Sequence, residues 1–146
     1  RMNELQGASG IAQLKKLSLI INSQRKNYHK ILDNIKNIKG LKERSLPKNS
    51  FISADALIIF VKNKATALRC REFLLKSNIS TKILPEAYSW HFAGKWSHMK
   101  ELNKNLKNSL KASEEILSKA VSIPIFVKMT KNQILSIKNS LVKALK

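Results

Sequence analysis

The sequence predicts a mixed fold of α/β or α+β class, in which a long helix leads into a small sheet covered by helices. Three observations support this: helical spacing of apolar residues over the first 38 positions, a short β-branched apolar run near residue 58, and further helical patterns in the C-terminal half. With 146 residues, 43% of them apolar, the chain can bury one ordinary hydrophobic core.

One long helix, or two nearly collinear ones, is predicted from Leu5 to Ile38. Apolar residues on one helical face are separated by sums of three and four: Leu14, Leu17, Ile21, Tyr28, Ile31, Ile35 and Ile38. Gly7 and Gly10 near its start permit close approach of another backbone, so we expect a packed interface there. Gly40 is a helix-stop signal, and the polar residues 42–49 that follow it are predicted to form a loop.

A strand–helix–strand unit is predicted next. The run Ala54–Val61 is short, apolar and β-branched towards its end, which is typical of a buried strand. Asn63 is suited to cap a helix that ends near residues 77 and 78. The buried face of this helix is expected to carry Ala67, Cys70 and Leu74. Residues 80–84 are predicted to form the second strand, ended by a proline.

The C-terminal part is predicted to contain two helical segments, a strand and a last helix. The helical patterns cover Glu101–Leu110 and Ala112–Ala120. A proline interrupts the apolar run Val121–Val127, so this strand is expected at a sheet edge. Thr130 and Gln133 have the spacing of a capping box. The apolar face of the last helix is expected to carry Ile134, Ile137, Leu141 and Leu145.

The segment between residues 88 and 99 is the strongest candidate for a binding site. It contains both tryptophans and two of the three histidines, and neither helix nor strand periodicity fits it. Imidazoles that donate or accept hydrogen bonds, beside flat indole rings, suit a polyhydroxy ligand. Alternatively, Trp90, Phe92 and Trp96 close the edge of the core while His91 and His98 satisfy backbone groups. A zinc site is not predicted, because no third ligand lies nearby.

The remaining composition excludes several kinds of site. A single cysteine, Cys70, permits neither an intrachain disulfide nor a cysteine-based zinc site, and its thiol is expected in the core. No phosphate-binding glycine loop, nucleophile elbow or paired-carboxylate site is present, so the chain is not expected to be a self-sufficient enzyme. No long apolar run or secretory signal is found, which indicates a cytoplasmic protein without a membrane partner.

The formal net charge of +19 leaves one alternative function open. Such a charge is typical of proteins that bind nucleic acid or other anions. Here the basic residues are mostly lysines spread along the whole chain, with no stripe that interleaves arginines and aromatics. Nucleic acid binding is therefore not favoured, but a basic nucleic-acid- or anion-binding module without catalytic activity remains the rival hypothesis.

Three segments resemble the sugar aminotransferase family of the DegT/DnrJ/StrS type. The opening Arg1–Ala8, continued by Ala12-Gln13-Leu14, resembles the family's helix after the cofactor-bearing region. Residues 121–130 and the helix after them are similar to its terminal Ser-Leu-Pro strand and last helix. The stretch from Trp90 to His98 is most similar to members that aminate an octulosonate-type sugar acid and so form an 8-amino sugar. The resemblance spans nearly the whole chain and implies the C-terminal domain of a fold-type I aminotransferase.

This resemblance implies pyridoxal 5′-phosphate as cofactor and transfer of an amino group, from an amino-acid donor such as glutamate, to a keto- or aldehydo-sugar or nucleotide-sugar acceptor. The pathway implied is cell-surface polysaccharide or lipopolysaccharide biosynthesis, and the intact enzyme is expected to be a homodimer. Residues 1–40 would link to a large cofactor domain outside this sequence, and residues 41–146 would form the small domain. No lysine stands in the Schiff-base context, so the fragment alone is expected to be inactive.

The resemblance also assigns candidate site residues. His91 and Trp90 are expected to contact the sugar, with Trp96 and His98 beside them. Arg1 and Asn3 are expected at the edge of the active site. No catalytic residue and no metal ligand is expected in this chain. A first residue that is arginine rather than methionine suggests that the sequence is truncated.

Overall fold

The computed structural model describes residues 2–81, 84, 91–96, 98–99 and 110–146. Within these ranges it contains five α-helices, one short 3₁₀ helix and a three-stranded sheet. Their bounds, in chain order, are α1 Glu4–Leu14, α2 Leu17–Ile35, β1 Lys42–Glu43, β2 Ala56–Phe60, α3 Lys64–Lys76, the 3₁₀ helix Ala93–Lys95, α4 Lys111–Ser118, β3 Ala120–Pro124 and α5 Lys131–Leu145. The predicted mixed α/β class is confirmed.

The sheet has the order β1-β2-β3, and both pairs of strands are antiparallel. Ala56 of β2 lies opposite Pro124 of β3, at the end of a strand that forms one edge of the described sheet. This is the position in which a proline, which lacks an N–H, is tolerated, and within the described part of the chain β3 lies at the predicted edge. Residues 42–49 were predicted to be a loop. That prediction is wrong at Lys42 and Glu43, which pair with β2.

The core lies between one face of this sheet and the helices α2, α3 and α5, and α5 packs against both α2 and α3. Its largest fully buried side chains include Ile31, Leu57, Leu74, Ile123, Ile137 and Leu141. Burial of each is worth about 1.5–3 kcal/mol. The predicted inner faces of α3 and α5 are confirmed, except that Leu145 is only partly buried. Cys70 is fully buried, as predicted.

The predicted N-terminal helical region is divided into two helices. The helices α1 and α2 are separated by the turn residues Lys15 and Lys16. No residue of α1 is buried, and nothing lies within 4 Å of a Cβ built on Gly7 or Gly10. A packing partner for these glycines is therefore not provided by the described residues. The helix α2 buries one face, which includes Tyr28 and Ile31.

The second strand of the predicted strand–helix–strand unit is not observed where the structure describes it. Ser80 and Thr81 are not in a strand, Leu84 lies in a turn, and residues 82 and 83 lie outside the described residues. In the described sheet β2 pairs instead with β1 and with β3, and β3 comes from much later in the chain. Of the two predicted C-terminal helical patterns, α4 confirms the second, and residues 101–109 of the first lie outside the described residues.

Candidate functional site

The predicted binding segment is described at residues 91–96, 98 and 99. His91 and His98 are exposed and Trp96 is half-buried. The rings of Trp96 and His98 stack, with centroids 5.9 Å apart and an interplanar angle of 19°. The structure therefore brings two of the predicted site residues together. Trp90 lies outside the described residues.

A tight backbone turn holds this segment. The amide of Lys95 donates to the carbonyl of Phe92 at 2.9 Å, and the amide of Trp96 donates to the carbonyl of Ala93 at 3.1 Å. Phe92 is 7% exposed, although it is not part of the main core. A Cβ on Gly94 would lie 2.5 Å from Cε1 of Phe92. A side chain at this position would therefore have to displace the ring of Phe92.

An ion pair joins the segment to α4. Nζ of Lys95 lies 2.7 Å from Oε1 of Glu114, and both side chains are a little over 40% exposed. At that exposure a single pair is worth at most about 1 kcal/mol. The pair is therefore a contact between the segment and α4 that adds little to the stability of the fold.

Asn3, predicted at the edge of an active site, caps α1 in the structure. Its side-chain oxygen accepts a hydrogen bond from the amide of Gln6 at 2.8 Å, and its own amide donates to the side chain of Gln6 at 3.0 Å. This capping box satisfies two backbone donors of the first turn. A location of Asn3 at an active site stays a prediction, and Arg1 lies outside the described residues.

Sequence reasoning missed a set of polar contacts between α2 and the segment that follows β3. The amide of Gln24 donates to the carbonyl of Ile125 at 3.1 Å. The amide of Asn27, only 6% exposed, donates to the carbonyls of Phe126 at 2.8 Å and Val127 at 3.2 Å. The available signal was an asparagine beside Tyr28 on the apolar face of the predicted helix, since buried amides need partners.

A second polar contact connects α2 to the sheet. The hydroxyl of Tyr28 donates to Oε1 of Glu43 at 2.6 Å. Burial, followed by the bonded carboxylate of Glu43, raises the pKa of Tyr28 above its usual range. The phenol is therefore held neutral and acts as a structural donor.

The described residues offer little that could perform covalent chemistry. Every described lysine side chain is at least partly exposed, and no group of three metal-binding side chains occurs in the described part of the chain. Burial raises the pKa of the Cys70 thiol to about 11, so this thiol is not a nucleophile at neutral pH. Across the described ranges, no helix has the length and hydropathy needed to cross a bilayer.

Comparison with known proteins extends these observations. The model of the DegT/DnrJ/EryC1/StrS aminotransferase family matches residues 1–142. The structure of Helicobacter pylori PseC, an aminotransferase involved in the biosynthesis of pseudoaminic acid, is similar with a TM-score of 0.74 and 20% identity, covering 99% of this chain and 38% of that one. The sugar aminotransferase CalS13 from Micromonospora echinospora has a TM-score of 0.68 and 15% identity, covering 97% of this chain and 35% of that one.

A third similar structure is named for a different reaction. The E. coli GDP-4-keto-6-deoxy-D-mannose-3-dehydratase with bound hydrated pyridoxal phosphate (PLP) has a TM-score of 0.68 and 21% identity, covering 94% of this chain and 35% of that one. At these identities the similarity shows the fold alone. The chain spans little more than a third of the length of the solved structures it matches.

Proposed function

Because the chain belongs to the DegT/DnrJ/EryC1/StrS aminotransferase family, we propose that it is the C-terminal part of a PLP-dependent sugar aminotransferase. The observation that carries this proposal is the family match over residues 1–142, and the fold similarity to sugar aminotransferases supports it. The intact enzyme would transfer an amino group, with glutamate as donor, to a keto- or aldehydo-sugar. The aminated sugar would enter cell-surface polysaccharide or lipopolysaccharide biosynthesis.

The residues that the structure describes do not fit a complete cofactor site. A lysine that forms a Schiff base must be held deprotonated, which proteins achieve by burial or by a neighbouring cation. None of the lysines that the structure describes is buried. The groups that hold PLP, which itself acts as the electron sink, would therefore come mainly from the part of the enzyme outside this sequence. We accordingly expect the chain alone to be inactive.

The role proposed for this chain is recognition of the sugar acceptor. The stacked rings of Trp96 and His98 offer a flat surface for the apolar face of a sugar ring, and the exposed imidazole of His91 can hydrogen-bond its hydroxyls. The buried ring of Phe92 and the ion pair of Lys95 hold these side chains in position. Trp90 completes the proposed set of sugar contacts, and Arg1 and Asn3 would lie at the edge of the active site.

The test uses the complete enzyme with His91→Ala and Trp96→Ala, and with His29→Ala as a matched control. His29 is an exposed histidine on α2, outside this segment. Loss of one hydrogen bond or one ring contact should raise KM for the sugar about five- to tenfold. The half-reaction with glutamate should be unchanged in all variants. Unaltered sugar KM in both site variants would remove this segment from the acceptor site.

Amination must also be separated from dehydration, because one structure with this fold is named as a 3-dehydratase. Transfer of ¹⁵N from labelled glutamate into the isolated sugar product is the expected result. A deoxysugar product without the label would contradict the aminotransferase assignment. A salt-sensitive shift of random DNA by this chain, without any amination by the complete protein, would favour the basic binding module instead.

A further inference from the structure

The C-terminal part of the chain carries positive charge without acidic residues of its own. From Ile116 to the last residue there is no aspartate, glutamate or arginine, and every basic residue is a lysine. Lys119 is paired with Glu115 of α4. The others, called here the C-terminal lysines, lie after β3 or on α5, and none of them forms an ion pair with a described residue: Lys128, Lys131, Lys138, Lys143 and Lys146.

The two helices packed against α5 do not neutralise this charge. The acidic residue of α3, Glu72, is paired with a lysine of the same helix, and so is the acidic residue of α2, Asp33. Each of these pairs has no net charge. Asp55 lies near the start of the C-terminal segment, because its carbonyl accepts a hydrogen bond from the amide of Ile125. This single carboxylate leaves a positive excess at the C-terminal lysines.

Exposed apolar side chains lie among the C-terminal lysines. Lys131, Leu135, Lys138 and Val142 follow one another at intervals of four, three and four residues, which places them along one side of α5. Leu135 is 48% exposed, whereas the neighbouring Ile134 faces the core and is 6% exposed. The outer side of α5 therefore combines positive charge with apolar surface.

Phe126 adds an aromatic ring close to the start of this helix. The amide of Asn27 donates to the carbonyl of Phe126 at 2.8 Å and so fixes the backbone at this point. Ile125 is 2% exposed and Phe126 is 52% exposed, because successive side chains of an extended segment point to opposite sides. Phe126 precedes Thr130, the N-cap of α5, by four residues, so the chain keeps the two within about 14 Å of each other.

We propose that the outer side of α5, together with Phe126, docks the complete protein on an anionic phospholipid surface. Clusters of about four to eight basic residues bind anionic headgroups, and each residue near the surface strengthens binding about fivefold. Leu135 and Phe126 enter the boundary between headgroups and acyl chains. The proposal does not rest on the aminotransferase function, because none of these residues belongs to the segment between residues 88 and 99.

A lipid surface fits these residues better than nucleic acid does. Leu135 and Phe126 gain nothing from a phosphate backbone, and arginine, the residue that most often reads bases, is absent after residue 116. The contact is peripheral and needs no long apolar run. The expectation of no membrane partner, which rested on the lack of such a run, therefore does not apply to it.

The experiment measures co-sedimentation of the complete protein with two kinds of vesicle: phosphatidylglycerol mixed with phosphatidylcholine, and phosphatidylcholine alone. The protein should bind the mixed vesicles at least about tenfold more tightly. Raising the salt concentration from about 0.1 to 1 M, which shortens the Debye length from about 10 to 3 Å, should release it. Equal binding to both kinds of vesicle, or no binding to the mixed ones, overturns the proposal.

Charge variants then locate the surface. Replacing Lys131 and Lys138 with Gln together should weaken binding to the mixed vesicles about 20-fold. The same change at Lys26 and Lys30, exposed on α2, should weaken it less than about threefold, since only the overall charge is altered. Equal losses in the two double variants would show that net charge alone attracts the protein, and would overturn the proposal.

Position 135 provides a test without a change in charge, and it separates lipid from nucleic acid. Leu135→Ser should weaken binding to the mixed vesicles about fivefold, whereas Leu68→Ser, at a leucine 44% exposed on α3, should have no effect. Random duplex DNA should bind more weakly, per phosphate group, than the vesicles do. Tighter binding of DNA at the same salt concentration, or unchanged vesicle binding in Leu135→Ser, would overturn the proposal.

Discussion

Replacing Asn27 on α2 with Ala should destabilise the fold. The side-chain amide of Asn27 is buried and donates to two carbonyls, at 2.8 Å and 3.2 Å, in the segment after β3. Its removal takes away two hydrogen bonds at once. A typical bond contributes about 0.5–1.5 kcal/mol, and an unsatisfied buried group costs about 1–3 kcal/mol. Because one acceptor belongs to the half-exposed Phe126, water can replace part of the loss, and we expect about 2 kcal/mol.

For a protein of this size that loss lowers Tm by about 4–8 °C. The assay is thermal unfolding followed by circular dichroism, at equal protein concentrations for all variants. Asn22→Ala is the matched control, because Asn22 lies on the exposed side of the same helix. It should shift Tm by less than about 1 °C. If Asn27→Ala and the control give the same Tm, the contacts of Asn27 do not hold α2 against the C-terminal segment.

Three further predictions follow from buried groups and exposed surfaces. Because the pKa of Tyr28 is raised in the folded state, its contribution to the free energy of unfolding is fully present below about pH 10, the usual pKa of an unfolded tyrosine, and is lost as pH rises further. Tyr28→Phe should flatten the resulting fall in Tm. An equally steep fall in the variant would contradict this prediction. The thiol of Cys70 should react with iodoacetamide only after denaturant is added, since its pKa is raised to about 11 by burial, and rapid labelling of the native chain would contradict this. The chain alone should self-associate through α1, where Leu5 and Ile11 are 76% and 60% exposed. Replacing both residues with Ser should yield a monomer in light scattering. A monodisperse monomer of the unmodified chain would refute this prediction.

Elements that depend on a few neighbouring residues were predictable. The caps at Asn63 and Thr130, the inner face of α3 and the buried strand β2 all follow from local spacing. Elements that depend on distant pairing were not. The two residues of β1 are polar and too few to show alternation, and they form a strand only because β2 offers them a free edge.

The candidate site shows the same division. The clustering of histidines and tryptophans between residues 88 and 99 was visible in the sequence, and so was the glycine at position 94. The sequence did not show why a glycine stands there, because the close approach of the Phe92 ring to Gly94 is visible only in the structure. Nor could the sequence indicate that Trp96 and His98 stack, since residue order does not specify the relative orientation of two rings.

By itself the sequence determined the fold class, the faces of the helices and the resemblance to sugar aminotransferases, because these depend on residue order and local periodicity. Only the tertiary structure decided that β3 pairs with β2, that α1 has no partner among the described residues, and that Lys42 of β1 lines an open cavity. The physical reason is that pairing and burial depend on contacts between residues far apart in the chain, for which the local pattern contains no signal.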